Sequence, residues 1–92
     1  MTRIVLTCSG VPLQHGEEAA RDIAQEFREH RPWWNAVECT WNGSLLRLAA
    51  TSDFDHDGAA LNEEFSDCIA AYVPGVFSSH INVDSIDTSL SA

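Results

Sequence analysis

Residues 33–51 read WWNAVECTWNGSLLRLAAT, and this stretch decides the fold. Asn42 and Gly43 adopt positive φ at low cost, as both central residues of a type I′ hairpin turn must. We therefore predict a two-residue hairpin with the pairs Trp41–Ser44, Thr40–Leu45, Cys39–Leu46, Glu38–Arg47, Val37–Leu48, Ala36–Ala49 and Asn35–Ala50. This register gives each apolar residue a suitable partner and sets the one acid opposite the one base, which cross-strand pairing favours. A slip of one residue would move Val37, Cys39, Leu46 and Leu48 to the other face.

The sequence on either side predicts two helices and two further strands. Apolar residues alternate over residues 2–7 and from residue 76 to 84 or beyond, which indicates strands. Helical spacing over 16–30 and 57–73 indicates two helices, and Pro32 and Pro74-Gly75 stop them. The first helix is expected to bury Ala20, Ile23, Ala24, Phe27 and His30, and the second Leu61, Phe65, Cys68 or Ile69, and Tyr72.

The resulting order, β-α-β-β-α-β with hairpin strands at 34–41 and 44–51, predicts a single α+β domain over residues 1–92. The most economical arrangement is a ferredoxin-like sandwich, in which one face of a four-stranded antiparallel sheet carries both helices. The tail from about residue 88 is expected to fray. The open face of the sheet is expected to be apolar and to offer a surface for homo-oligomers, with Val5, Trp34, Ala36, Thr40, Leu45 and Ala49 on it.

The charge is strongly negative and unevenly distributed. The 92 residues carry 14 acids and five arginines without any lysine, a net charge of −9. Residues 1–52 hold six acids and all five arginines, and residues 53–92 hold eight acids and no cationic Lys or Arg. Such a surface repels phosphate, so we expect neither nucleic acid nor an anionic membrane as a partner, whereas a basic protein suits it.

Cysteine use and hydropathy favour a cytoplasmic protein. Cys8, Cys39 and Cys68 are odd in number and widely spaced, which is typical of reduced thiols rather than of a disulfide framework. No apolar run approaches the roughly 18–20 residues of a membrane-spanning helix. We expect no signal peptide, because the apolar start is broken at once by Cys8, Ser9 and Gly10.

The sharpest motif lies between the hairpin and the second helix. Asp53, Asp55, Asp57 and Gly58, followed by Glu64, match the calcium-loop pattern D-x-[DN]-x-[DN]-G-x5-E. The motif resembles an EF-hand loop, which implies Ca²⁺ as ligand. An EF-hand loop joins two helices, however, whereas a predicted strand precedes this one. We therefore interpret the acids as a solvated loop that caps a helix, with calcium binding as the alternative.

The cysteines and histidines give little indication of a catalytic or metal-binding site. Cys8 lacks a following arginine or a second cysteine at a redox spacing, which indicates a structural thiol. His15, His30, His56 and His80 are scattered, without the spacing of zinc ligands. We predict no cofactor and assign no catalytic residue.

Two functions fit these observations. The first is a non-catalytic module that docks a basic protein, as immunity proteins and nuclease inhibitors do. Its expected contacts are Asp53, Phe54, Asp55, Asp57, Glu63 and Glu64, with Trp34 as an exposed anchor and Trp33 in the core. The alternative is a small ferredoxin-like enzyme or a ligand- or calcium-binding domain.

Overall fold

The computed structural model describes residues 1–73 and 80–88, and its element order is the predicted β-α-β-β-α-β. The strands are β1 (Thr2–Ser9), β2 (Asn35–Trp41), β3 (Leu46–Ser52) and β4 (His80–Asp87), and the helices are α1 (Gly16–His30) and α2 (Ala59–Tyr72). A short 3₁₀ turn, Leu13–His15, leads into α1. No helix among these residues is long and apolar enough to cross a bilayer.

The four strands form one antiparallel sheet in the order β2-β3-β1-β4. This is the strand order of the ferredoxin-like sandwich, so the predicted fold class is confirmed. β1 and β3 lie at the centre, and β2 and β4 form the two edges.

One face of the sheet packs against both helices. Alternate residues of the central strands point to this face and are fully buried: Ile4, Leu6 and Cys8 on β1, and Leu46, Leu48 and Ala50 on β3. They join one core cluster with Ile23 and Phe27 of α1 and Leu61 and Phe65 of α2. Helix burial follows the predicted stripes with two exceptions, since His30 is exposed and Tyr72 is 37% exposed.

Over residues 38–41 the predicted hairpin register is wrong by two residues. Trp41 pairs with Leu46 and Cys39 with Leu48, so the turn is centred on Gly43 and Ser44, one residue later than predicted. Of these two turn residues, only Gly43 has a positive φ, at 101°. This is the pattern of a type II′ turn rather than type I′. A slip of two residues keeps each side chain on its predicted face, so the sheet still closes over the same core.

The side chain of Asn42 is the reason for the displaced turn. Its Oδ1 accepts hydrogen bonds from the backbone N–H of Ser44 at 2.9 Å and of Leu45 at 2.7 Å. Asparagine therefore stands before the turn and caps it through its side chain, which is a common role of Asn in turns.

A bulge interrupts β2 near its start. The register shifts between Asn35 and Glu38, and Ala36 at this irregularity has φ of +50°. Arg3 of β1 reaches across β3 to support the bulge, because its Nη1 donates to the carbonyl oxygen of Ala36 at 2.6 Å and to the hydroxyl of Thr51 at 3.1 Å. Bulges at sheet edges disturb strand pairing and twist the edge.

The predicted orientations of the adjacent tryptophans are reversed. Trp34 is 4% exposed and belongs to the core, whereas Trp33 is 49% exposed. Both precede β2, and the N–H of Trp34 donates to the carbonyl of Arg31 in a turn that follows α1. The alternation of a strand therefore does not apply to them.

The open face of the sheet exposes fewer apolar side chains than predicted. Trp34 lies on the helix side, and Leu45 belongs to the hairpin loop. Val5 and Ala49 are paired and nearly inaccessible, at 5% and 0% exposure.

One helix boundary differs from prediction. α2 begins at Ala59, two residues late, because Gly58 is left-handed at φ 84°. β4 extends to Asp87, in line with the prediction of a strand to residue 84 or beyond, and pairs with β1 except for a register shift between Val5 and Leu6. The predictions for Pro74-Gly75 and for the strand start at 76–79 lie outside the described residues, as does the tail beyond 88.

Candidate functional site

The loop 53–58 between β3 and α2 is held from within by two side chains. The hydroxyl of Ser52 accepts the N–H of Phe54 at 3.0 Å and of Asp55 at 2.9 Å. The Asp55 carboxylate is 4% exposed and accepts the N–H groups of Gly58 and Leu61, one on each oxygen, at 3.0 and 2.9 Å. Asp55 therefore caps the first turn of α2, where N–H groups lack helical partners.

The other two aspartates of the loop face solvent. Asp53 is exposed at the start of the loop. Asp57 is exposed too, and its Oδ1 accepts the N–H of Ala59 at 3.0 Å. This backbone hydrogen bond lowers the pKa of the Asp57 carboxyl. The loop thus presents two carboxylates outward and keeps the third for its own structure.

Phe54 lies between these acids and is 48% exposed. Its ring packs on Trp34 with the centroids 4.9 Å apart and the planes tilted by 48°. Tilted aromatic pairs at this distance contribute about 0.5–1.5 kcal/mol beyond their buried area. The phenyl ring is therefore an exposed apolar group on a fixed aromatic base.

Glu64 of α2 connects this base to the end of α1. Its Oε2 accepts the indole N–H of Trp34 at 2.8 Å and that of Trp33 at 3.3 Å. Its Oε1 accepts from Arg31 Nη1 at 2.7 Å. One carboxylate therefore positions two indoles and a guanidinium, and it leaves Trp33 half-exposed beside them.

Arg31 is itself fixed on several sides. Its guanidinium carbon lies 5.6 Å from the centroid of the Phe27 ring, and its Nε lies 3.4 Å from Glu26 Oε2. Burial opposes the charged form of Arg31, but the hydrogen bond and charge of Glu64 raise its pKa above the usual value. The hydroxyl of Tyr72 donates to Glu26 Oε1 at 3.0 Å, which raises the pKa of Tyr72.

These contacts define an aromatic–acidic patch, by which we mean Trp33, Phe54, Glu64 and the flanking acids Asp53 and Glu63. Trp33 and Phe54 are held by Trp34 and Glu64 beneath them, while Asp53 and Glu63 adjoin the patch in the chain and are exposed.

Four of the five patch residues, Asp53, Phe54, Glu63 and Glu64, were predicted from the sequence, whereas Trp33 and the role of Arg31 beneath the patch were not. The sequence feature that could have indicated both residues is Arg31, directly before Pro32 and the Trp33-Trp34 pair, at the end of a helix rich in acids.

Two of the four candidate calcium ligands, Asp55 and Glu64, are occupied by internal hydrogen bonds. Both oxygens of Asp55 accept backbone hydrogen bonds, and both of Glu64 accept side-chain hydrogen bonds. The loop joins a strand to a helix, unlike an EF-hand loop. Within residues 1–73 and 80–88, no three His, Cys, Asp or Glu side chains are grouped as a metal would require.

The thiols are unactivated. All three cysteines are free. Burial raises the pKa of Cys8, raises that of Cys39 to about 12 and raises that of Cys68 to about 11. They are protonated at neutral pH, and the thiolate is the reactive form.

Two histidines take part in contacts with β1. The Nδ1 of His56 lies 3.1 Å from the hydroxyl of Thr2, and the carbonyl of His80 accepts a weak hydrogen bond from Ser9 at 3.5 Å. Both contacts tie neighbouring elements to the central strand.

No family model matches the chain, and no curated protein or solved structure matches it either.

Proposed function

We propose that the protein is a non-catalytic module that docks a basic protein through the aromatic–acidic patch. The observation that carries the proposal is the pair of half-exposed rings, Trp33 and Phe54, fixed by one internal network and flanked by carboxylates. The proposal also places the chain in the cytoplasm, where three free thiols stay reduced.

Fixed aromatic groups suit a docking role. Binding hot spots are enriched in Trp, Tyr and Arg, and most of the binding energy comes from a few such residues. A ring that is already held in place loses little side-chain entropy when a partner covers it. Trp33 and Phe54 meet this condition because Glu64 and Trp34 hold them.

The charge around the rings favours a cationic partner. Asp53 and Glu63 are exposed, and residues 53–92 contain no Lys or Arg to neutralise them. An arginine of a partner gains both from a carboxylate and from the face of an aromatic ring. Such a surface also steers a basic protein during its approach, and salt weakens this steering.

The test is affinity capture from a lysate of the native host on the immobilised protein. The captured proteins are compared for the wild type, for Trp33→Ala combined with Phe54→Ala, and for Leu13→Ala. Leu13 is 70% exposed on the 3₁₀ turn, so it controls for the loss of an exposed apolar side chain elsewhere. Thermal unfolding verifies that each variant is folded, and Trp33→Ala alone serves if the double variant is not.

We expect one basic protein to be captured by the wild type and by Leu13→Ala, and to be lost with the double variant. Capture of no basic protein, or equal capture by all three, would contradict the proposal.

A further inference from the structure

We propose that the groove between α1 and the edge strand β2 binds an extended acidic segment of a second protein, which joins the sheet as a fifth strand beside β2. This surface shares no residue with the aromatic–acidic patch, although Trp34 beneath the patch also lines one end of it. The proposal goes beyond the docking function above.

The groove has a helix as one wall and a strand as the other. A cavity of about 610 Å³ lies between α1 and β2, lined by Arg21, Ala24, Gln25, Arg28, Glu29 and Cys39. A second cavity of about 420 Å³ shares Arg28 and continues along the start of β2, where Asn35, Ala36 and Val37 line it. Together the two cavities follow β2 for most of its length.

β2 has an unpaired edge that faces this groove. It pairs only with β3 among the described strands, because it is the end strand of the sheet. Extended peptides bind such edges by main-chain hydrogen bonds, while alternate side chains enter the adjacent groove. The bulge at Ala36 leaves residues 38–41 as the regular part of this edge.

The charge of the groove identifies the chemistry of the occupant. Arg21 and Arg28 are both exposed, and neither forms an ion pair with the described residues, whereas Arg3 and Arg31 both do. They stand seven residues apart on α1, about 10.5 Å along the helix axis. Two acidic residues at alternate positions of a strand, spaced by about 7 or 13 Å, lie within reach of these long side chains.

The groove lining keeps a net positive charge. Glu29 offsets one of the two arginines, and its carboxylate accepts a hydrogen bond from the amide of Gln25 at 2.9 Å and lies 3.8 Å from His30. Cys39 is neutral, since its thiol is protonated. A groove lining with two arginines and one carboxylate, in a chain of charge −9, favours an anionic occupant.

A second copy of this chain suits the groove less well. Pairing β2 with β2 across a two-fold axis would bring the same arginines of both copies to one seam. Like charges at an interface are unfavourable, so charge argues for a different, acidic partner.

The experiment is a selection of random dodecapeptides from a display library on the immobilised full chain. Enriched peptides are then synthesised with a fluorescent label, and their Kd is measured by anisotropy at physiological ionic strength. Four proteins are compared: the wild type, Arg21→Gln, Arg28→Gln and the control Arg47→Gln. Arg47 is a β3 residue without an ion pair to the described residues, so its variant removes the same charge outside the groove.

We expect enriched peptides with Asp or Glu at alternate positions. Their Kd should rise about tenfold or more with either groove variant, which corresponds to about 1.4 kcal/mol, and should change less than twofold with Arg47→Gln. Proline in the middle of the peptide should abolish binding, because it removes a main-chain donor.

Three results would overturn the proposal: no enriched peptide, enriched peptides that bind equally to the groove variants, or a stable dimer in sedimentation that a charge in β2 disrupts. The Arg21 and Arg28 variants leave the aromatic–acidic patch intact, so failure here is separable from failure of the proposed docking function.

Discussion

Glu64 is unsuitable for testing binding at the patch by substitution, because it has structural contacts of its own. Its carboxylate is largely buried at 18% side-chain exposure and bonds Arg31, Trp33 and Trp34. Its removal would leave the indole N–H of Trp34 and Nη1 of Arg31 without their acceptor, and unsatisfied donors of this kind are destabilising. Asp55 presents a similar problem because it caps α2. Binding is therefore tested at Asp53 and Glu63, whose substitution leaves these internal contacts intact.

Gly16 illustrates a steric requirement at the scale of one residue. It opens α1 with ordinary helical dihedrals, φ −63° and ψ −47°, so alanine fits the backbone. The indole of Trp41 lies directly against it, however, where a Cβ atom would overlap the ring. Glycine is therefore needed here for the close approach of a β2 side chain, not for backbone freedom.

We predict that Gly16→Ala lowers the free energy of unfolding by about 1–3 kcal/mol, the usual cost of overpacking. Chemical denaturation measures it. In a Trp41→Ala background the same change should be neutral or stabilising by up to about 1 kcal/mol, since alanine is the better helix former. An equal loss in both backgrounds would show that Trp41 is not the cause.

At the scale of an element, the loop 53–58 determines where α2 begins. We predict that Asp55→Ala lowers the free energy of unfolding by about 2–3 kcal/mol, because a cap is lost and two buried N–H groups lose their acceptor. Asp53→Ala is the matched control, since it removes the same carboxylate from an exposed position in the same loop. We expect its effect to stay within about 0.5 kcal/mol. Equal effects of the two substitutions would contradict the capping role of Asp55.

Helices and strands were predictable where apolar residues recur at a regular local spacing. The spacing of Ile23 and Phe27 located α1, and the alternation of Leu46 and Leu48 located β3. The hairpin register was not predictable in this way, because the Asn42 side chain moved the turn by one residue.

Long-range contacts account for the other errors in the candidate site. The orientation of Trp34 depends on Glu64, which is 30 residues away in the chain. The separate roles of Asp53 and Asp55 depend on which carboxylate is buried. Residue type alone does not contain that information.

At the scale of the whole molecule, the charges are unevenly distributed along the chain. Residues 53–92 contain eight acids and no Lys or Arg, while Arg21 and Arg28 line the groove between α1 and β2. The two proposals therefore assign a basic partner to the aromatic–acidic patch and an acidic segment to the groove. Net charge alone, at −9, would not distinguish these two surfaces.

The most direct test of the docking function compares the loss of two negative charges at the patch with the loss of two negative charges elsewhere on the surface. Asp53→Asn with Glu63→Gln removes two carboxylates at the aromatic–acidic patch, and Glu17→Gln with Glu18→Gln removes two exposed carboxylates from α1. The Kd for the captured basic protein is measured with each variant over a range of salt concentrations. We predict that the patch variant weakens binding about tenfold or more at low salt and flattens its salt dependence, while the α1 variant stays within about twofold of the wild type. Equal effects of the two variants would show that only net charge matters and would contradict docking at the patch.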